Sequence, residues 1–362
     1  MRFGLFGGAK SAGGGPSGDS QGYNQFIDYV LLAEELGYQS LFVVEHHFTG
    51  VGQVSASLNL LSYLAGRTTR MRLGTAVVVL PWHNPALLAE QVATLDLVSN
   101  GRFDFGVGKG YRPPEFSGFQ LPIEQATERF EEALTFLRQA WSTDGRFSHH
   151  GKHWHFENIV IEPRTTQQPH PPLWMGAGSF ESIKRAAQGG FNLLLDQIAP
   201  VDLIIERVQA FKAECQRIGR PLRPNQIGVA RALQIVQTEA EREKALAVRL
   251  QVLKNIGGLA RGPGAERYQN IGSHSDPNLA SEESALLGTP AEITARLRKL
   301  EAGGVDYVLL VDPSGSKDSL SLFAREIIPQ FPDSEAESTK ADTHGQRPQS
   351  QVTNTPSDVI PA

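Results

Sequence analysis

The chain has 362 residues, with 34 basic and 39 acidic side chains and a formal net charge of −5. That balance gives no basic footprint for nucleic acid and no cationic face for an anionic membrane, and no apolar run is long enough to span a bilayer. With 40% hydrophobic and 20% charged residues, the sequence reads as one large globular unit with a sizeable core, suited to small-molecule chemistry.

Short apolar runs alternate with longer segments of helical period, the pattern of β-α units and a parallel sheet. Strands are expected at 2–6, 40–45, 72–80, 103–107, 173–177, 192–196, 226–236 and 307–311. Eight such units predict closure into a (β/α)8 barrel of TIM type, an α/β fold; a doubly wound open sheet is the alternative. In a barrel, functional residues gather at the carboxyl ends of the strands.

The first strand opens the chain without the basic start and apolar core of a secretory signal, so cytoplasmic residence is expected. The glycine-rich stretch 7–18 follows it. Ala9, Lys10 and Ser11 there come close to a phosphate-binding loop, but Ala9 stands where glycine is needed and Gly13, Gly14, Gly15 and Pro16 follow instead of a helix. A barrel-top loop is the better account.

The second strand runs out into Val44, Glu45, His46, His47 and Phe48, placing a carboxylate and two imidazoles where the core residues stop. Such groups drawn into a cleft need partners, and they mark a candidate site. The third strand, through Ala76 and Val77, is apolar throughout, as suits a strand covered on both faces. The fourth ends with Lys109 among glycines; Gly106, Gly108 and Gly110 do not complete a dinucleotide fingerprint, but they let a flat ligand or a phosphate approach.

In the next helix Phe130, Leu134, Leu137 and Trp141 form one stripe, with Glu128, Glu131 and Arg138 facing away. Residues 144–172 are too long for a simple connection and predict an inserted β-hairpin turning at Gly151, ahead of the fifth barrel strand. Its His149, His150, His153 and His155 lack the Asp, Glu or Cys that would complete a zinc set, so a solvated hairpin is expected and no metal site is assigned. The fifth barrel strand passes through Met175, Gly176, Ala177 and Gly178 straight into a helix at Ser179. That junction offers free N–H groups, a positive helix end and the hydroxyls of Ser179 and Ser182, with Lys109 as a matching cation. Ser179 also suits a plain helix cap, and the two roles are compatible.

Cys215, the single cysteine, lies in a helical stretch as a half-buried residue with no disulfide partner. Residues 257–284, glycine-rich and polar, read as a long mobile loop before the eighth strand. Residues 333–362 are too poor in apolar side chains to offset their ordering entropy and read as a disordered tail after a barrel at 1–332.

Taken together, Met1 to Gly4, the Val44 to Thr49 run with its Glu45, His46, His47 and Phe48, the Leu73 to Ala76 and Val79 to Pro81 segments, and Gly101, Arg102, Phe103, Phe105 and Gly106 closely resemble the bacterial luciferase alpha subunit and its monooxygenase relatives. The similarity runs from Met1 to about Gly190 and returns at Leu287, Gly288, Thr289 and Pro290. The resemblance implies a barrel that binds reduced FMN at its top, reacts it with O2 to a C4a-hydroperoxide, and inserts one oxygen atom into an organic substrate. It implies His46 as the catalytic imidazole, with Glu45 and His47 orienting it or lining the mouth. It places Ala76 and Val77 against the isoalloxazine, in a segment that often carries a non-proline cis peptide. Lys109, Gly178, Ser179 and Ser182 fall where the phosphate is held, and Glu45, Tyr111, Gly176 and Ala177 complete the implied cofactor contacts.

A separate flavin reductase supplying FMNH2 is implied as partner, and homo- or heterodimers fit this family. Departures bear on the substrate. Lys109 stands for an arginine, Gly178 for a glutamate, Gly108 for a cysteine, and Asp196 with Gln197 for a Ser-Trp pair. Long-chain aldehyde and light emission are therefore not implied. Hydride transfer with the deazaflavin F420 on the same fold, or a non-catalytic flavin-binding subunit, are the alternative readings.

Overall fold

The computed structural model describes residues 1–48, 50, 53–259, 282–312 and 314–332, with the side chains of 256–259 outside that set. The 333–362 tail and all but the flanks of the 257–284 segment therefore lie outside the described residues.

The expected strands form, with adjusted limits: β1 (Arg2–Gly7), β2 (Ser40–Val43), β3 (Arg72–Thr75), β4 (Val78–Val79), β5 (Phe103–Gly108), β6 (Phe147–His150), β7 (His155–Ile159), β8 (Leu173–Gly176), β9 (Asn192–Leu195), β10 (Ile227–Ile235), β11 (Ala285–Gly288) and β12 (Tyr307–Val311). All the pairings between these strands other than β6–β7 are parallel, and they run β10-β12-β1-β2-β3-β5-β8-β9 and back to β10. The sheet is thus a closed barrel of eight parallel positions, with β3 and β4 sharing the third. The open-sheet alternative is excluded by the β9–β10 pairing, Leu193 to Ile227 and Leu195 to Val229.

Two features depart from the expected pattern. The 72–80 run is interrupted because the Ala76–Val77 peptide is cis, so β3 pairs with β5 through Leu73 and Gly74, and β4 through Val78 and Val79. Residues 285–288 form an additional strand beside the far half of β10, with Ala285 opposite Ala232 and Gly288 opposite Ile235. Its four residues are too short a run to carry a period, so only the following Leu287 to Pro290 motif was visible. That motif ends β11 and caps the helix Pro290–Ala302 through a reciprocal Thr289 and Glu292 box.

The inserted hairpin is antiparallel, with His150 opposite His155. The helix Ala126–Ser142 buries Phe130, Leu134, Leu137 and Trp141 as one stripe. Cys215 is fully buried, not half-buried, because its helix packs that face against the barrel wall.

What fills the barrel decides where a ligand can sit. Phe42, Trp174, Leu194, Tyr307 and Leu309 pack together inside it. Phe42 fits because Gly74 has no side chain; a Cβ there would lie 2.5 Å from the Phe42 ring. Below this plug, Trp174 Nε1 donates to Asp104 at 3.1 Å, and Asp104 is paired with Arg72 at 2.7 Å. Arg72, Asp104 and Trp174 thus pair with one another near the amino ends of their strands.

Candidate active site at the barrel mouth

β2 stops at Val43, so Glu45, His46 and His47 lie on the segment just past it, where side chains turn over the barrel mouth. Two buried carboxylates organise this segment. Glu45 Oε1 accepts from His47 Nε2 at 2.9 Å and from His83 Nε2 at 2.8 Å, while its Oε2 accepts the backbone N–H of Val79 at 3.1 Å. Glu45 thereby ties the second strand end to the strand that follows the cis peptide. Burial would raise its carboxyl, but the two imidazoles outweigh burial and hold it below the usual value.

The second carboxylate is Glu115, from the short helix Pro113–Gly118 that follows β5. Its Oε1 accepts from His46 Nδ1 at 3.1 Å and from the His47 backbone N–H at 3.0 Å, and Arg112 Nη1 stands 3.7 Å away. An ionised carboxylate only accepts, so His46 carries its proton on Nδ1 and keeps a lone pair on Nε2. Burial pulls the His46 pKa down and Arg112 adds to it, while Glu115 opposes. The neutral imidazole therefore dominates near neutral pH, the form that can accept a proton.

Around these groups stands an aromatic wall. The His47 ring meets Phe119 edge-on at 4.8 Å and Trp82 at 5.4 Å, and Phe48 packs on Phe119 at 5.0 Å. Phe48 has a left-handed backbone, φ 56°, and an exposed ring, which lies over Gly118 where any side chain would collide with it.

The remaining candidate positions line the neighbouring strand ends. Val77, beyond the cis peptide, reaches into the space that Gly108 and Gly176 leave: a Cβ on Gly108 would lie 2.5 Å from Val77 Cγ2, and one on Gly176 3.8 Å from Cγ1. Ala76 and Val77 pack on the barrel-filling cluster, forming a flat apolar floor beside two glycines. Gly176 ends β8 and Ala177 is buried, its N–H donated to Leu194 at 3.1 Å.

Ser179 caps the helix Phe180–Gln188, and Ser182 answers it: the Ser179 hydroxyl accepts the Ser182 N–H at 3.2 Å and the Ser182 hydroxyl accepts the Ser179 N–H at 3.2 Å. Ser179 is exposed and Ser182 half-buried at the positive end of this helix. Lys109 feels the charge of Arg185, in the last turn of that helix. Burial lowers its pKa, the charge of Arg185 lowers it further, and Glu131 opposes.

Tyr111 turns instead toward Arg112, whose guanidinium carbon lies 5.5 Å from the ring centroid. Lys10 takes part in an isolated bridge with Gln53, and the helix after it begins only at Pro16. On the hairpin, His149 faces Glu132 at 3.6 Å and His153 faces Glu128 at 3.3 Å. Among the described residues, no group of His, Cys, Asp and Glu is arranged to hold a metal ion.

Glu115, Arg112 and His83 escaped the sequence reading. Glu115 lies 69 residues from His46, and nothing in its local sequence, between two prolines and a phenylalanine, marks it as the partner of a histidine on another strand.

The family model for luciferase-like monooxygenases matches residues 1–307, and the chain belongs to that family. It is 36% identical over 169 residues to an uncharacterized protein, y4vJ, of Sinorhizobium fredii; the match covers 47% of this chain and 48% of that protein, about half the length of each. Against the oxygenase component of a flavin-dependent trigonelline monooxygenase of Acinetobacter baylyi, identity is 28% over 336 residues, covering 87% and 91% of the two chains. Among solved structures, the monooxygenase RslO1 of Streptomyces bottropensis superposes with a TM-score of 0.75 at 25% identity, over 92% of this chain and all of that one. An F420-dependent secondary alcohol dehydrogenase shares the fold at a TM-score of 0.73 and 16% identity, over 92% and 99% of the two chains. Among the described residues, no helix is long and apolar enough to cross a membrane.

Proposed function

We propose that the chain is the oxygenase component of a two-component system, taking reduced FMN from a separate reductase and using O2 to place one oxygen atom on a small organic substrate. The observation that carries this reading is the meeting, at one barrel end, of a neutral His46 held through Nδ1 by Glu115 with a glycine-flanked apolar floor at Ala76 and Val77. The floor suits a flat tricyclic ring. The capped start of the helix Phe180–Gln188, with the hydroxyls of Ser179 and Ser182, suits a phosphate, and Lys109, which feels the charge of Arg185 on the same helix, would supply a matching cation.

Residues that fit the cofactor are therefore present, and bound reduced flavin would supply the electrons that activate O2. The chain's own residues bind, orient and handle protons. Gly108 makes room for Val77, Val77 supports the ring, Gly176 and Gly178 add no side chain beside it, and His46 Nε2 accepts or returns a proton as oxygen is reduced. Glu115 and Glu45 hold His46 and His47 in place, and the aromatic wall of Trp82, Phe116 and Phe119 excludes water from that side. Full-length similarity to a flavin-dependent oxygenase component supports FMN over F420.

Fluorescence titration of the purified chain with FMN, riboflavin and F420 tests the cofactor part. The expected order is FMN tighter than riboflavin, with the gap narrowed by Lys109→Ala and by Ser182→Ala. Tight F420 binding with no measurable FMN binding would replace oxygenation by hydride transfer.

A further inference from the structure

Where β9 and β10 end, three arginines gather around one carboxylate. Asp196 follows β9. Its Oδ1 accepts the N–H groups of Ile198 at 2.7 Å and Ala199 at 2.8 Å, and its Oδ2 accepts Arg207 Nη1 at 2.8 Å. That carboxylate is spent on its own turn and on Arg207. Arg231, from β10, donates only to the carbonyl oxygens of Asp196 and Ala230, each at 3.1 Å. Arg249, from the helix Glu239–Leu259, donates to the Gln197 side-chain oxygen at 2.9 Å, to the Gln197 carbonyl, and to the Ser284 hydroxyl at 3.2 Å.

Arg231 and Arg249 are thus bonded to neutral oxygens alone among the described residues, and they are 0% and 3% exposed. Nε and Nη2 of Arg231 and Nε of Arg249 meet no acceptor. Burial pulls both guanidinium groups down to about 10, against the pull of Asp196, and for Arg231 the two neighbouring arginines add to the effect. Both remain charged at neutral pH. Desolvating a cation is unfavourable unless an anion offsets it, and the single Asp196 carboxylate is shared among three guanidinium groups, so the pair makes sense with a further anion to share.

The chemistry of the unmatched atoms selects the anion. Nε and Nη2 form the side edge of a guanidinium, and their two parallel N–H bonds fit the two oxygens of a planar carboxylate. Through Asp196 and Arg207 the edge of the cluster reaches the candidate site. A Cβ on Gly178 would lie 3.6 Å from Asp196 Oδ2 and 3.9 Å from Arg207 Nη2, and the Asp196 side chain is 33% exposed there. The phosphate seat at Ser179 and Ser182 has donors of its own, which leaves the arginine pair for a second anion.

We propose that Arg231 and Arg249 recognise a carboxylate group on the organic substrate, so that the substrate is an organic acid and not a neutral aldehyde. The proposal rests on the FMN-dependent reading of the barrel mouth. Asp196 and Gln197 act as positioning residues, holding Arg207 and Arg249.

The test uses the purified chain with FMN, and sodium benzoate against its neutral counterpart benzamide, followed by calorimetric titration and by thermal melting. Benzoate is expected to bind and raise the Tm, with benzamide at least about tenfold weaker, a difference of about 1.4 kcal/mol. Arg231→Met is expected to abolish the benzoate response, and its benzoate-free Tm, measured beside the wild type, reads the cost of the lost carbonyl bonds separately.

Arg231→Lys keeps the charge without the fork. It is expected to weaken benzoate in the same sense, and it serves if the Met variant does not fold. Equal responses to benzoate and benzamide, or a Met variant that still binds benzoate, overturn the proposal. So does a variant that loses affinity for FMN but not for riboflavin, because the pair then serves the flavin phosphate. Benzoate binding is read without turnover, so its failure leaves FMN binding and oxygen transfer standing, and the reverse.

Discussion

Replacing Glu115 by Gln removes one charge and almost no volume from the centre of the site. Two hydrogen bonds depend on Oε1, from His46 Nδ1 at 3.1 Å and from the His47 N–H at 3.0 Å. A bond to a charged group contributes ~1.5–3 kcal/mol and a neutral one ~0.5–1.5 kcal/mol, so the change costs about 1 kcal/mol per bond. Arg112 adds to this. It is buried, its Nη1 is 3.7 Å from the carboxylate, and neither Nε nor Nη1 has a hydrogen-bond partner. Stripping a buried ion of its partner costs up to ~3–5 kcal/mol, which sets a total of about 2–7 kcal/mol, or a Tm lower by several degrees.

The amide can also turn its NH2 toward His46, which frees Nδ1 to lose its proton and puts one on Nε2. Thermal melting reads the first effect and nitrogen NMR of labelled histidine the second. Glu115 is the group that holds the His46 pKa up against burial, so its pH midpoint must fall further in the variant. A Glu115→Gln protein with unchanged Tm, Nδ1 still protonated, and a His46 midpoint that stays or rises would refute this account of the site.

Other perturbations have equally definite outcomes. Glu45 has a folded pKa below its usual 4.5, so its contribution to stability is present above that value and is lost as pH falls through the lower folded value. Denaturant unfolding of Glu45→Gln should therefore show a deficit at neutral pH that shrinks in acid, and a deficit that grows in acid contradicts the assignment. His46 titrates below its usual 6.5. Its share of stability is complete above 6.5 and declines toward acid, so His46→Gln should flatten that decline. Gly108→Ala places a Cβ 2.5 Å from Val77 Cγ2. Overpacking of this kind costs ~1–3 kcal/mol, and FMN affinity should fall with it; tighter FMN binding by calorimetry would show that Val77 is no part of the floor. Ser179→Ala removes a helix cap for about 1 kcal/mol, and its loss of FMN affinity should exceed its loss of riboflavin affinity.

The sequence carries the barrel well because eight buried strands need long apolar runs, and runs such as Val77 to Leu80 are visible without any partner. β11 escaped because four residues beside β10 hold too little pattern to distinguish a strand from a loop. The split of 72–80 follows from a backbone isomer at Ala76–Val77; only the family resemblance pointed to it.

The candidate site divides the same way. His46, Lys109 and Ser179 stand at strand ends, where position alone gives them away. Glu115, His83 and the arginines at 231 and 249 are defined by what they touch: a carboxylate 69 residues from its histidine, or a guanidinium 35 residues from the turn it holds. Arg231 sits inside a strand run as its one charged residue, and that signal, a charge in an otherwise buried strand, was available in the sequence and passed over.

Oxygen transfer itself is the most direct test of the central claim. The chain, loaded anaerobically with FMNH2 and mixed with isotopically labelled O2 and a panel of small organic acids and aldehydes, is followed by mass spectrometry of the products. A product carrying one labelled oxygen atom is expected from the wild-type chain with FMNH2, and its loss in His46→Ala. Labelled product at the wild-type rate from His46→Ala, or substrate oxidation that carries no label and requires reduced F420, would contradict that claim.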